Sequence, residues 1–426
     1  MSKTEKSGLV PRLRFPEFLN EGEWERKKLS DLLVETKQRN RKLKYGPQDV
    51  LSVSGEYGCV NQIEFMGRSY AGVSVKDYHI VETGDVVYTK SPLKKNPFGI
   101  IKENTGKTGI VSTLYAVYRT TDIGHPAYLA HYFSSDYNLN SYLQPIVKKG
   151  AKNDMKVNNA DVLSGEILAP KKEEQVKISD FLSSIDTLIK VEIKQLSSLA
   201  AYKKSLTRQL FPCDGESVPR MRFPEFRNDP SWIPSKLGDV SKIQSGGTPS
   251  RSNVDYWGGT IPWVTTSLID SNTIIKVDEY ITSAGLEKSS AKVFPKNTIL
   301  MAMYGQGKTR GKVAMLGIDA ATNQACAAFI LKNGVETEFV FQNLASRYEE
   351  IRKTSNPGGQ ANLSAGLIEG ITFSYPENKR EQTKIAGFLS TIDELIAAQR
   401  QKIEGLKVHK ESLMQKLFPV LDKVQL

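Results

Sequence analysis

Cysteine and histidine are scarce in this chain. Its 426 residues include three cysteines, Cys59, Cys213 and Cys326, and four histidines, His79, His125, His131 and His409. The cysteines are far apart and odd in number, and no histidine stands at ligand spacing from them, which argues against a disulfide framework and a zinc site. No apolar run approaches the ~20 residues of a membrane span. The charged start, Met1-Ser2-Lys3-Thr4-Glu5-Lys6, leads into no apolar core of signal-peptide length. A soluble, cytoplasmic protein without membrane association is expected. With 58 Lys+Arg against 47 Asp+Glu the net charge is +11, which suits a polyanionic partner but is modest over this length.

Familiar catalytic sequence is missing as well. Gly305-Gln306-Gly307-Lys308-Thr309 resembles a phosphate-binding loop, yet that loop requires a further glycine where Ala302 stands, and Gly106-Lys107-Thr108 fails the same test at Ile101. Asn96-Pro97-Phe98 resembles an adenine-methyltransferase motif but lacks its second proline and any preceding glycine-rich cofactor strand. Neither a paired-carboxylate nuclease motif nor a nucleophile elbow stands out.

What the chain does contain is a repetition. Pro11-Arg12-Leu13-Arg14-Phe15-Pro16-Glu17-Phe18, Trp24 and Lys28-Leu29-Ser30-Asp31 return as Pro219-Arg220-Met221-Arg222-Phe223-Pro224-Glu225-Phe226, Trp232 and Lys236-Leu237-Gly238-Asp239. Downstream, Glu174-Gln175, Phe181-Leu182-Ser183, Ile185-Asp186 and Leu210-Phe211-Pro212 return as Glu381-Gln382, Phe388-Leu389-Ser390, Ile392-Asp393 and Leu417-Phe418-Pro419. One scaffold is therefore built twice, in halves of about 210 residues, around two different middles.

The expected fold class is α+β, divided as 1–171, a globular domain; 172–211, a long helix; 212–378, a second globular domain; and 379–426, a second long helix and tail. Runs such as 85–89, 110–118 and 325–331 read as strands. The helical segments lack proline and hold a 3-4 apolar spacing. One seam runs Ile178, Leu182, Ile185, Ile189, Glu192, Leu196, Leu199, Lys203, Leu206, Leu210, and the other Ile385, Leu389, Ile392, Ile396, Gln399, Ile403, Leu406, Lys410, Leu413, Leu417. At 1.5 Å per residue each helix spans roughly 57 Å. Packing on each other covers such lengths better than packing each on its own domain. Because a compact domain joins the end of one helix to the start of the other, the two should form an antiparallel coiled coil relating the halves by a pseudo-twofold. Matching Glu192 with Lys410 and Lys203 with Gln399 predicts a register in which paired numbers add to 602, setting Ile185 against Leu417, Ile189 against Leu413, Leu196 against Leu406, Leu199 against Ile403 and Leu206 against Ile396. A slip of one heptad, to 595, would put Glu192 and Lys203 opposite isoleucines, at a cost of a few kcal/mol for an unpartnered charge.

Loops rich in basic, amide and hydroxyl groups beside glycine can approach phosphates and base edges. The second domain offers Gly246-Gly247-Thr248-Pro249-Ser250-Arg251, Gly305–Lys312 and Pro357–Asn362; the first offers Lys37–Lys44, Lys90–Lys95 and Lys148–Asn153. The candidates for DNA contact are Lys90, Lys94, Lys95 and Lys152 in the first, and Thr248, Ser250, Arg251, Gln306, Lys308, Arg310, Lys312 and Gln360 in the second. Tyr256, Trp257 and Trp263 read as core beneath the first of these loops rather than as stacking platforms for bases.

Together the Arg-Phe-Pro-Glu-Phe openings, the Gly-Gly-Thr-Pro-Ser loop with Tyr256-Trp257-Gly258-Gly259 and Ile261-Pro262-Trp263-Val264, the Gly-Lys-Thr-Arg-Gly stretch with Asn323-Gln324, and the Glu-Gln-X-Lys-Ile helix starts at Glu174 and Glu381 cover essentially the whole chain. In these the sequence resembles the specificity subunits of type I restriction-modification systems. The resemblance implies two target-recognition domains, each reading one half of an asymmetric bipartite site in double-stranded DNA, with the helices as spacer and docking site for two methyltransferase subunits. It further implies no catalysis by this chain, S-adenosylmethionine on the methyltransferases, and motor-nuclease restriction subunits as further partners. The first domain departs from the pattern, lacking the Gly-Gly-Thr-Pro-Ser loop and carrying Lys90–Phe98 instead. A fused DNA-modifying enzyme and a protein-only coiled-coil scaffold are the rival readings.

Overall fold

Each long helix begins with acid and ends at proline. In the computed structural model, which describes residues 10–93, 95–149, 155–213, 216–304, 309–354 and 362–419, they run Lys172–Leu210 and Lys379–Leu417, 39 residues each. Glu173 and Glu174 in one first turn and Glu381 in the other meet the positive end of the helix dipole. Pro212 and Pro419, two residues past the ends, lack the N–H that would continue the ladder.

The chain forms two compact units, Met1–Ile193 with Gln401–Leu426, and Lys194–Arg400. Each unit holds the start of one long helix and the end of the other, packed antiparallel. In the first, Ile178 and Leu182 join Leu417 and Phe418 in the core around Trp24, Tyr88, Tyr118 and Tyr128. In the second, Leu206, Leu210 and Phe211 join Ile385, Leu389 and Ile392 in the core around Trp232, Phe329 and Phe339. The helices thus bury their apolar stripes both on each other and in the domain that holds their ends, and every seam residue is buried or half-buried.

The register corrects the expectation. Glu192 pairs with Lys402 at 2.7 Å rather than with Lys410, and Lys410 Nζ donates to Asp186 at 2.6 and 2.7 Å. Lys203 does not meet Gln399; its Nζ donates to both oxygens of Asp393 at 2.6 Å. Paired numbers therefore add to between 594 and 596, the slip of one heptad rejected on charge grounds. The cost assumed there does not arise, because each seam lysine reaches past the apolar contact to a carboxylate beside the seam.

The shared openings and helix starts form one joint, made twice. Arg14 donates from Nε and Nη2 to the two oxygens of Glu174 at 2.8 and 2.7 Å, and Trp24 Nε1 donates to the same carboxylate at 3.3 Å. Arg222, Glu381 and Trp232 repeat this at 2.8, 2.7 and 3.4 Å. The following glutamines fasten the start of the helix: Gln175 Nε2 donates to the carbonyls of Ile123 and Pro170, and Gln382 Nε2 to those of Gly334 and Pro376.

The middles repeat further than the sequence shows. In the first unit the central sheet is antiparallel in the order Leu33–Glu35, Tyr115–Thr120, Val86–Thr89, Ile100–Glu103. The second unit has the same order in Ser241–Ser245, Cys326–Leu331, Ile299–Ala302 and Val313–Leu316, extended by Thr273–Ile274. A second, four-stranded sheet there runs Glu279–Ile281, Trp257–Val264, Ala320–Thr322, Val293–Phe294. The apolar run 110–118, expected as one strand, is two: Gly109–Val111 pairs with His79–Val81, and Tyr115–Thr120 enters the central sheet. Between them Ser112 turns the chain, its carbonyl accepting the Tyr115 N–H and its hydroxyl the Leu114 N–H, a local bonding that competes with the ladder.

Candidate nucleic-acid interface

Strand direction gathers the candidate loops. In the second unit, Ser241–Ser245 and Ile299–Ala302 end, and Val313–Leu316, Cys326–Leu331 and Thr273–Ile274 begin, at one end of the central sheet. Trp257–Val264 and Ala320–Thr322 end beside them, tied by Gly247 N–H to Thr322 O (2.8 Å) and Asn323 N–H to Val264 O (3.0 Å). Segments 246–256 and 265–272, residues 303–304 and 309–312, and segment 323–325 therefore adjoin this end. The paired glycines seat the first of them, since a Cβ on Gly246 would lie 2.1 Å from Thr322 O and one on Gly247 2.3 Å from the Ser290 carbonyl carbon.

Among the described residues, the predicted side chains at this end are engaged rather than free. Arg251 forms an ion pair with Glu279 and lies over the Trp257 ring, 3.7 Å from its centroid. Lys312 forms an ion pair with Asp270. Thr248 Oγ1 donates to Gln324 Oε1 at 2.5 Å, Ser250 and Ser252 share a hydroxyl hydrogen bond of 2.8 Å, and Arg310 Nη2 donates to the Arg352 carbonyl at 2.8 Å. Trp263 is buried with Ile281, Ala291 and Ala321, and Trp257 packs against that cluster, so the tryptophans do build the core under the loop. Sequence reasoning missed Asp270, Glu279 and Gln324, which lie 42, 28 and 76 residues from the side chains they bind. At those separations no spacing rule links them.

The first unit presents the equivalent end differently. Leu33–Glu35 and Val86–Thr89 end there, and Ile100–Glu103 and Tyr115–Thr120 begin, so segment 36–50, residues 90–93 and 95–99, and segment 112–114 adjoin this end. Val86–Thr89 and Ile100–Glu103, which flank Lys90–Phe98 in the chain, thus hold the places of Ile299–Ala302 and Val313–Leu316. The counterpart of the Gly-Gly-Thr-Pro-Ser loop is the basic run Lys37–Lys44, which corrects the substitution read from sequence. Lys90 is half-buried, and desolvation pushes its ammonium below the usual range. Lys95 is exposed, its carbonyl accepting from Asn140 Nδ2 at 3.1 Å. Asn96 is buried and donates to Asp136 at 2.8 Å, while Phe98 packs on the core, so the segment resembling a methyltransferase motif is spent on packing. Lys94, Lys152, Gln306, Lys308 and Gln360 lie outside the described residues.

A groove of about 900 Å³ runs along the end of the first long helix, between Lys203, Arg208, Trp232 and Arg347, and holds none of the candidate side chains. No helix among the described residues is long and apolar enough to cross a membrane.

A duplicated α+β scaffold, with paired long helices and unlike loops on its two copies, defines a class of internally repeated proteins. The chain belongs to the family of the type I restriction modification DNA specificity domain, which matches residues 21–200 and 231–408. It is 29% identical over 181 residues to the MjaIX type I restriction enzyme specificity subunit of Methanocaldococcus jannaschii, covering 41% of each chain. Over 164 residues it is 27% identical to a type I restriction enzyme specificity subunit of Escherichia coli, covering 37% of this chain and 40% of that one. The chain thus spans about two fifths of the length of these relatives. A crystal structure of a type I restriction-modification system S subunit from M. genitalium shares the fold, with a TM-score of 0.62 at 13% identity over 97% of this chain and 100% of that one.

Proposed function

We propose that this chain is the DNA-recognition subunit of a type I restriction-modification complex and performs no chemistry itself. Each loop end reads one half of an asymmetric bipartite site in double-stranded DNA, and the long helices set the spacing and dock two methyltransferase subunits. Those partners bring S-adenosylmethionine, and motor-nuclease subunits complete the complex. The observation that carries this reading is the pairing of one repeated sheet with two unlike loop ends. An internally duplicated chain addresses two different half-sites, whereas a homodimer addresses a palindrome.

Lys90, Lys94, Lys95 and Lys152 in the first domain, and Thr248, Ser250, Arg251, Gln306, Lys308, Arg310, Lys312 and Gln360 in the second, face the DNA in this proposal. Mobility-shift titration should show one bipartite duplex retarded selectively, with binding abolished when its spacer changes by one base pair; equal retardation of all duplexes would refute it. Methyl transfer by the purified chain alone would instead establish a fused enzyme.

A further inference from the structure

Arg251 is set up unlike a phosphate-binding cation. Its two Nη groups donate to the two carboxylate oxygens of Glu279, the second at 3.0 Å, and its plane lies 3.7 Å from the Trp257 centroid and 4.9 Å from that of Trp263. The indoles are in turn tied to the loop that carries the arginine, Trp257 Nε1 donating to Ser250 O at 3.1 Å and Trp263 Nε1 to Gly247 O at 3.0 Å. Carboxylate, rings and loop thus hold one guanidinium in a fixed pose, with its side chain still 53% exposed.

Two consequences follow from this pose. The Arg251–Glu279 pair carries no net charge, and a phosphate approaching the guanidinium would also meet the Glu279 carboxylate, so the Coulomb attraction that dominates backbone contacts is largely cancelled. An uncharged acceptor suffers no such repulsion. With both Nη groups bound end-on by Glu279, the remaining fork is Nε–H with the second Nη2 hydrogen. Guanine alone among the bases presents two acceptors, N7 and O6, on its major-groove edge.

We infer that Arg251 reads a guanine in the half-site of the second domain, donating from Nε and Nη2 to N7 and O6, with Glu279 and Trp257 as positioning residues. This rests on the proposed role in DNA recognition and deepens it by naming one base and its reader.

The test is selection of sites from a randomised duplex library by the full-length chain co-purified with its methyltransferase subunits, for wild type, Arg251→Lys and Glu279→Gln. Arg251→Lys keeps the charge opposite Glu279 but removes the planar fork. At one position of one half-site, preference for guanine should fall from roughly 5- to 150-fold to less than about twofold, with the other half-site and the salt dependence of binding unchanged. Glu279→Gln frees the cation and should steepen the slope of log K against log salt by about one while weakening the same preference. An unchanged consensus in Arg251→Lys overturns the inference. So does uniformly weaker binding with a shallower salt slope, which would make Arg251 a phosphate contact. A wild-type complex that selects no sequence overturns the DNA-recognition reading itself, and this inference with it.

Discussion

A buried histidine in the first unit stands where the second has a glutamine. His131 Nε2 shares a hydrogen bond with Ser183 Oγ at 3.1 Å beside Asp186, which binds Lys410; Gln342 Nε2 donates to Asp393 at 2.9 Å, and Asp393 binds Lys203. Ser183, Asp186 and Lys410 match Ser390, Asp393 and Lys203, and the second network adds Glu338, whose carboxylate accepts from Gln342 Nε2 at 3.0 Å and from Ser390 Oγ at 2.6 Å. Both units thus place a hydrogen-bonding side chain there, an imidazole in one and an amide in the other. All four histidines belong to the first unit, so the two halves share a frame but not its titration.

The joints invite the largest perturbation. Glu174→Ala and Glu381→Ala should each cost about 3–5 kcal/mol, because each leaves an arginine whose side chain is at most 7% exposed without its carboxylate. Urea denaturation should show similar losses for the two variants; a large difference would break the equivalence of the joints.

Acid should separate the units next. Burial, with the Lys410 charge adding, pushes His131 down to about 4, and burial, with Arg39, does the same to His79. Below its ordinary value of about 6.5 the unfolded chain takes up a proton that the folded chain refuses. The stability from these neutral histidines is therefore complete above pH 6.5 and is lost as pH falls toward 4, by about 2–3 kcal/mol for each. His131→Gln, which copies the second unit into the first, should flatten the stability profile measured between pH 6.5 and 4.

Within the seam, Lys203→Met and Lys410→Met should each cost about 1 kcal/mol, since each removes the lysine paired with a half-exposed aspartate. A double-mutant cycle between Lys203 and Asp393 should show coupling. The same cycle between Lys203 and Gln399 should show none; the reverse would restore the other register. Glu192→Gln, which copies Gln399, should lower the stability measured by urea denaturation least, by about 0.5 kcal/mol or less given the exposed partner Lys402.

Much of the fold is legible in the residues. The 3-4 apolar spacing and the terminal prolines mark both helices, because helical phase and the missing N–H of proline are local properties. The repeated openings mark the joints, although that Arg14 and Glu174 meet becomes evident only when chain 160 positions apart is brought together. The candidate loops are readable as basic and glycine-rich. That Arg251 and Lys312 are held by Glu279 and Asp270 is not, and it changes what those cations can do.

The sequence by itself determined the duplication, the α+β class and the antiparallel sense of the helices, since these follow from repeats, periodicity and connectivity. Tertiary structure decided the register, the shared sheet order of the two middles and the state of the loop cations Arg251 and Lys312. A heptad slip keeps the two apolar stripes facing each other, so the register passes to the polar side chains, and a lysine's reach to a carboxylate beside the seam is a matter of three-dimensional geometry rather than of pattern.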